Sequence, residues 1–363
     1  MTRGSKKNRI IKWLVFSALG LAAIICFALA ALFTKDLVSQ QQALRWQGES
    51  ETDFAQISCY IPERETVQLD NLWNYRTAII AKLKEASLES SDDSQLYLDA
   101  WSASGRVDVA SALGSGKADV IAVGGSFFDF HPVRLISGSY ISQSDLMKDR
   151  VLVDEELAWL LFGGTDLQGL SFKINGKNFV VAGVVDRQAD RENSLAYSAP
   201  MGLFMSWEAY KELDEKAGIN CYEFVMAQPV DNFAINFAKE KIAKDTWHVV
   251  ENSERFSFES IYDLIGQFGK RSMQTNGIIY PYWENAARYT EDWCALLLLV
   301  GMLLAVWPVV YVIYRILRLI VKGKNKLEYE LIPKAKENTQ EAIRVRQRRR
   351  WERKRGLHEK TTK

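Results

Sequence analysis

The chain has 363 residues, room for one large or two modest domains, and its 46 Lys/Arg against 45 Asp/Glu leave a net charge of only +1. The balance is made of unlike parts: residues 1–12 carry five bases and no acid, residues 315–363 carry 17 bases against 6 acids, and the stretch between holds 24 against 39. With three histidines, no His/Cys spacing that fits zinc and no G-x-S-x-G elbow, the sequence argues against zinc and α/β-hydrolase chemistry.

In chain order, the basic residues 1–12 lead into Trp13–Phe33, "WLVFSALGLAAIICFALAALF", 21 residues without a charge. At about 1.5 Å per residue, roughly 20 apolar residues cross the hydrocarbon layer, so this reads as a first transmembrane helix. A cleavable signal peptide, with "ALA" at 28–30 as its site, is disfavoured because the apolar run exceeds the usual signal core. A lipoprotein anchor at Cys26 is disfavoured by the bulky Ile24 and Ile25 before it. Residues 34–50 are polar and helix-compatible, and an extension of the span is expected there.

The segment 34–292 then reads as a mixed α+β domain. "AQISCYI" alternates Ile57, Cys59 and Ile61, the period of a half-buried strand. Asp70 is placed as the cap of a helix bearing Leu72, Tyr75, Ile79, Leu83 and Ala86, and "QLYLDAW" returns as a strand. A β-rich lobe is expected over about 104–205, opening with a hairpin, "RVDVASAL" and "ADVIAVG", around a "GSG" turn. Asp154 should cap the helix "EELAWLLF", ended by Gly163–Gly164, and Asn175-Gly176 should turn "LSFKI" into "FVVAGVV". A second β-α-β unit follows: "CYEFVMA", a helix capped at Asp231 with Phe233, Phe237, Ala238 and Ile242 on one face, then "TWHVVE". Two such units far apart in sequence predict a ferredoxin-like split arrangement. Residues 251–290 read as a stalk near the membrane.

Trp293–Tyr314, 22 uncharged residues, is the second expected span, with Pro308 a candidate kink. Lys/Arg excess marks the cytoplasmic side, which places both termini, 1–12 and 315–363, inside and residues 34–292 outside. The tail "RVRQRRRWERKRG" (344–356) is assigned to anionic lipid headgroups or to docking on a cytoplasmic subunit, and nucleic acid is the lesser reading. Cys59 and Cys221 lie in the outer segment, where a disulfide between them is left open and buried free thiols are the default. No residue is assigned a catalytic, cofactor-binding or metal role. "GSGK" at 114–117 lacks the earlier Gly of a phosphate loop, having Ser111 there, and Ala118 stands where Ser/Thr is needed. The acid clusters at 91–94, 154–156 and 213–216 are read as caps and solvated faces.

The stretch "VIAVGGSFFDFHPVRLISGSYI" followed by "RVLVDEELAWLLFGGTDLQGLSFKINGKNFVVAGVV" resembles the periplasmic core domain of MacB-type, FtsX-like ABC transporter permeases. The resemblance is carried by Phe127, Phe128, Leu135 and Gly138, by Leu157, Ala158, Leu161, Phe162 and Gly163, by Asp166 and Gly169, and by Val181, Gly183, Val184 and Val185. It extends over about residues 10–250. It implies a porter-type outer domain that acts by moving, driven by a separate ATPase, with no catalytic residue to carry over. Such permeases have four spans, whereas two are expected here, so the resemblance implies a shortened, non-catalytic form: half of a split permease, an accessory subunit working with an ABC ATPase and a sister FtsX-like permease, or a descendant that lost transport. The alternative is a stand-alone, membrane-anchored binding or scaffold protein.

Overall fold

The computed structural model describes residues 3–35, 37–88, 96–186, 201–267, 274–275 and 277–360. The chain divides into two compact units, one formed by Cys26–Leu299 and the other by the residues up to Ile25 together with those from Val300 onward.

The Cys26–Leu299 unit is organised by one ten-stranded sheet. Its strands are β1 (Phe54–Tyr60), β2 (Tyr97–Ala110), β3 (Ser115–Gly125), β4 (Arg134–Gly138), β5 (Arg150–Asp154), β6 (Ser171–Ile174), β7 (Lys177–Asp186), β8 (Gly202–Ser206), β9 (Cys221–Ala227) and β10 (His248–Glu251). They are ordered β10-β1-β9-β2-β3-β8-β5-β7-β4, with β6 pairing β2 and β7. Neighbours from β10 to β3 are antiparallel, whereas β3/β8 and β5/β7 are parallel. β2 runs unbroken from "YLDAW" through "GRVDVA", so the strands of the 104–205 stretch continue the same sheet rather than starting another. The turn after β2 is Ser111–Gly114, closed by Ser111 N–H donating to the Gly114 carbonyl, and Ser115–Gly116 are already in β3. The expected "GSG" turn is therefore displaced by two to three residues.

Alternation along the strands builds a core on each face. On one face Ala55, Ile57, Cys59, Trp101, Tyr222, Phe224 and Met226 pack under four helices: α3 (Leu69–Glu85), α5 (Glu155–Phe162), α6 (Trp207–Leu213) and α7 (Phe233–Phe237), the last prolonged by a π-type turn to Ile242. On the other face Tyr60, Ala100, Phe204, Cys221 and Val225 meet α2 (Gln42–Gln47), α4 (Phe127–Phe130), a short strand pair (β11, Gln274–Thr275; β12, Ile278–Ile279) and the start of α9 (Tyr282–Lys326). Cys59 and Cys221 sit on neighbouring strands but serve opposite cores, and both are buried free thiols. Side chains leaving opposite faces of a sheet cannot be bridged without moving the backbone.

Local turn chemistry behaves as its residues require. Asp154 Oδ1 accepts from Leu157 N–H (2.8 Å) to cap α5, and its Oδ2 accepts from Gly202 N–H (2.6 Å), so one carboxylate also ties α5 to β8. Gly163 closes α5 at φ +73°, and Asn175 (φ +48°) with Gly176 (φ +83°) form the β6–β7 turn. Other boundaries differ from expectation. α3 opens at Gln68, whose N–H donates to Asn71 Oδ1, and Asp70 lies in the first turn. α7 is preceded by Asn232 rather than Asp231, in a left-handed conformation with no side-chain cap. After α1 (Arg3–Phe33) the chain turns and makes two short helical pieces, Val38–Gln40 and α2, in place of the expected extension of the span. Residues 251–290 are no simple stalk, because Tyr280, Tyr282 and Trp283 complete the second core. The acid cluster at 91–94 lies outside the described residues.

In the other unit, Phe16 stacks on Tyr311 (4.7 Å between centroids) and Trp13 meets the same ring edge-on (5.6 Å). Arg315 lies over both Trp13 and Tyr311. The chain ends in α10 (Ile332–Lys360), which follows a π-type turn at Leu327–Leu331. Two helical stretches, Ile11–Phe33 and Tyr282–Asn325, are long and apolar enough to cross a membrane. Leu14, Leu21, Ile24, Leu303 and Trp307 are exposed on them, as membrane segments require and core helices do not.

Replacing Asp154 by Ala removes the α5 cap and leaves Gly202 N–H without its carboxylate, so a loss of about 2–4 kcal/mol is expected. Denaturant unfolding of wild type and Asp154→Ala measures it, and a loss below about 0.5 kcal/mol would show that the double contact is idle.

Candidate functional site

Among the described residues no three His, Cys, Asp or Glu side chains are grouped so that they could hold a metal. "GSGK" is strand and turn rather than a helix-opening loop. Asp214, from the 213–216 cluster, accepts from Lys216 N–H and so holds its own turn.

What the fold does assemble is a buried chain of charges and polar groups. β1 supplies Gln56 and Ser58 from its polar face, which the alternating pattern assigned to solvent but which is fully buried beneath α2 and the start of α9. β9 contributes Glu223, the segment after β10 contributes Asn252 and Arg255, and α9 contributes Glu284, Arg288 and Glu291 before its apolar run begins.

Arg255 is the hub. Its Nε donates to Glu291 Oε1 (2.6 Å), its Nη1 to Glu284 Oε2 (2.6 Å) and Asn252 Oδ1 (3.3 Å), and its Nη2 to Glu284 Oε1 (2.9 Å) and Glu291 Oε2 (3.3 Å). Both carboxylates are held in the fork geometry that only a guanidinium supplies. Arg288 Nε donates to Glu284 Oε1 (2.8 Å), and its guanidinium lies 3.7 Å from the Tyr280 ring. Tyr60 hydroxyl donates to Glu284 Oε2 (3.0 Å) from β1. Two cations thus face two carboxylates, and the cluster is formally neutral.

The chain continues into the sheet. Asn252 Nδ2 donates to Ser58 Oγ (2.7 Å), Ser58 Oγ to Glu223 Oε1 (2.5 Å), and Glu223 Oε2 is in short contact with His131 Nε2. The His131 ring rests on Trp283, the second residue of α9, at 4.0 Å between centroids. Gln40, just past the first span, donates to the Trp283 carbonyl (3.1 Å), and Gln56 accepts from Gln42 N–H (2.8 Å). The base of the second span is therefore hydrogen-bonded to β1 directly, to β9 through Arg255, Asn252 and Ser58, and to the exit of the first span.

Burial alone would raise the Glu284 carboxyl, but the charge and hydrogen bonds of Arg255, helped by Arg288, outweigh it and hold Glu284 at about 2. Burial would likewise lower Arg255, and Glu284 and Glu291 reverse that, keeping it charged. His248, beside Arg288, is pushed down to about 4 by burial, with Arg288 and Arg255 adding to the effect and Glu284 opposing it. Arg255 and Glu284 are therefore both charged at neutral pH, and their ion pair forms a joint between the chain after β10 and the base of α9.

Sequence reasoning missed this joint. Its one legible trace is "WENAARYTED", where Glu284, Arg288 and Glu291 recur at four and three residues, one helical face, immediately before the apolar run.

Comparison with known proteins follows the same line. The MacB-like periplasmic core domain matches residues 18–244, more than half of the chain. The chain belongs to that family. Solved structures similar to it include the extracellular domain of the noncanonic ABC-type transporter YknZ from Gram-positive bacteria, at 13% identity and TM-score 0.36, covering 54% of this chain and 99% of that one. The periplasmic region of MacB from Actinobacillus actinomycetemcomitans is similar at 13% identity and TM-score 0.36, covering 60% and 94%. A permease-protein domain from Porphyromonas gingivalis is similar at 13% identity and TM-score 0.31, covering 55% and 88%. Comparison with curated proteins finds no match. The MacB-like match ends at residue 244, so Arg255, Glu284, Arg288 and Glu291 lie beyond it while Ser58, His131 and Glu223 lie within.

Arg255→Met strands two buried carboxylates and should cost about 3–5 kcal/mol. Adding Glu284→Gln and Glu291→Gln to that variant should recover part of the loss, and recovery of nothing in denaturant unfolding would show that the charges are not what Arg255 serves.

Acid should weaken the joint in two steps. His248 has a folded value of about 4, below the unfolded value of about 6.5, so the unfolded chain binds the extra proton and stability falls as pH drops between these values. Glu284 contributes stability that is present above its unfolded value of about 4.3 and lost as pH falls through about 2. In a melting-temperature series over pH, His248→Gln should flatten the upper step and leave the lower one, and an unchanged upper step would remove His248 from the account.

Proposed function

We propose that this MacB-like membrane protein is a non-catalytic subunit of an ABC transport or mechanotransmission system, in which the outer domain moves or docks partners in response to a separate ATPase. The observation that carries the reading is the second span's own helix. α9 begins inside the outer domain's core, with Trp283 and Glu284 fully buried, and is a single helix through its apolar run to Lys326. A helix fastened this way passes a displacement of the span to β1 and β9 without an intervening flexible segment.

The remaining assignments belong to the same reading. Residues 1–12 and 315–363 are cytoplasmic, 13–33 and 293–314 cross the lipid bilayer, and 34–292 lie outside. The strand order β10-β1-β9-β2, with α3 and α7 both on one face, supports a ferredoxin-like, porter-type pair of split β-α-β units. The partners are an ABC ATPase and a sister FtsX-like permease, with anionic lipid headgroups at the basic tail; nucleic acid has no part in it.

Purification of the tagged full-length chain in mild detergent, with mass spectrometry of what accompanies it, tests the reading. Co-purification of an ABC ATPase together with a permease is the expected result. Recovery of the chain alone from native membranes contradicts it.

A further inference from the structure

The segment that carries Arg255 leads directly into α8 (Phe258–Ile265), "FESIYDLI", capped by Ser257, whose side chain accepts from Ser260 N–H. This helix buries Ile261 and leaves Phe258 and Tyr262 65% and 55% exposed, two rings one turn apart and stacked 6.3 Å between centroids. Glu259 and Asp263 are exposed beside them, so the outer surface of α8 has an aromatic stripe flanked by an acidic one. A monomeric soluble domain gains nothing from presenting paired aromatic rings to water.

The depth of α8 is fixed by contacts on both sides. Arg255, three residues before α8, is bonded to Glu291, which is two residues from Trp293 and hence about 3 Å along the helix from the start of the apolar run. Phe256 packs against Leu37, four residues past the end of the first apolar helix, and against Ala286 and Ala287 of α9. Further along, Ser260 and Leu264 line a cleft of about 530 Å³ together with Glu284, Arg288 and Glu291. α8 is therefore alongside the first turns of α9 at the level where both apolar helices leave the hydrocarbon layer. At that level α9 has its own exposed aromatic pair, Tyr289 and Trp293, 6.3 Å between centroids.

We infer that Phe258 and Tyr262 form a lipid-binding stripe, lying in the headgroup region of the outer leaflet beside Tyr289 and Trp293, with Glu259 and Asp263 turned to water. Amphipathic rings favour that region, and a short helix with an apolar and a charged side lies in its plane rather than crossing it. The stripe gives the domain a second membrane attachment off the axis of the spans. A displacement of α9 then tilts the domain against a fixed lateral point instead of turning it freely. The inference rests on the two apolar helices being membrane spans and is independent of any ATPase.

Spin labels placed singly at Phe258→Cys, Glu259→Cys, Tyr262→Cys and Asp263→Cys of the full chain test it, with Leu303→Cys in the span as reference and the unsubstituted chain as the background. The protein is reconstituted into phosphatidylethanolamine/phosphatidylglycerol vesicles, and collisions with oxygen, which concentrates in lipid, are compared with those of a water-soluble nickel complex. Positions 258 and 262 should favour oxygen and positions 259 and 263 nickel, a reversal of sign within one helical turn. Preference for nickel at all four, with 303 reading lipid, overturns the inference while leaving the spans intact. Labels at 258 and 262 immobilised and reached by neither reagent would mean that a second copy or another protein covers the stripe, and would equally overturn it. A water-like reading at 303 would instead remove the membrane reading itself.

Discussion

Four donor contacts from one buried guanidinium hold the second apolar helix, and a fifth, to Asn252, leads on to the sheet. Arg255 is placed by the chain after β10, and its two carboxylates are seven residues apart on α9, so the cation links an edge strand's exit to two turns of a helix. Taking such charges out of water is expensive, and replacing them with well-packed apolar groups is often neutral or stabilising. Packing alone would therefore have sufficed for stability. What the ion cluster adds is direction: Glu284 and Glu291, seven residues apart on α9, both meet the same guanidinium fork, whereas apolar burial is non-directional.

That demand explains the unusual use of β1. A strand with alternating apolar and polar residues ordinarily keeps its polar side in water. Here Gln56 and Ser58 face α2 and the base of α9, and every step from Ser58 to Glu223, Asn252 and Arg255 is a hydrogen bond. The sheet is covered on both faces, by four helices on one and by short pieces plus a helix base on the other. The first cover is made of helices packed on the apolar side of the strands. The second is where the chain enters and leaves the outer domain, and it carries the polar chain.

Legibility in the sequence followed the range of the interactions. Asp154, Gly163 and Asn175-Gly176 act within a few residues of themselves, and their turns and caps stand where the residue types place them. The existence of β1, α3, β2, α5, β6, β7, β9, α7 and β10 was likewise readable, because periodicity is local, whereas α4 and α6 were given no place and α2 was read as part of the first span. The caps of α3 and α7 were misplaced by one or two residues, since α3 opens at Gln68 in a reciprocal pair with Asn71, and α7 follows Asn232 in a left-handed conformation that no side chain caps. The joint was not readable, because Ser58–Glu223, Ser58–Asn252 and Tyr60–Glu284 join residues 165, 194 and 224 positions apart. No local pattern distinguishes a serine that will be buried against a glutamate from one that will face water. The same distance hid the fact that residues 280–292 are core rather than stalk.

The central claim is that the base of the second span and strands β1 and β9 open as one cooperative unit, and hydrogen exchange on the full-length protein in lipid tests it most directly. Amides of residues 284–292 in α9 should exchange with the same opening free energy as those of β1 and β9, and the same denaturant dependence, because Arg255 binds them into one foldon. Exchange of 284–292 that is faster by orders of magnitude, while β1 and β9 remain protected, would show that the helix frays from the domain on its own and would contradict the account.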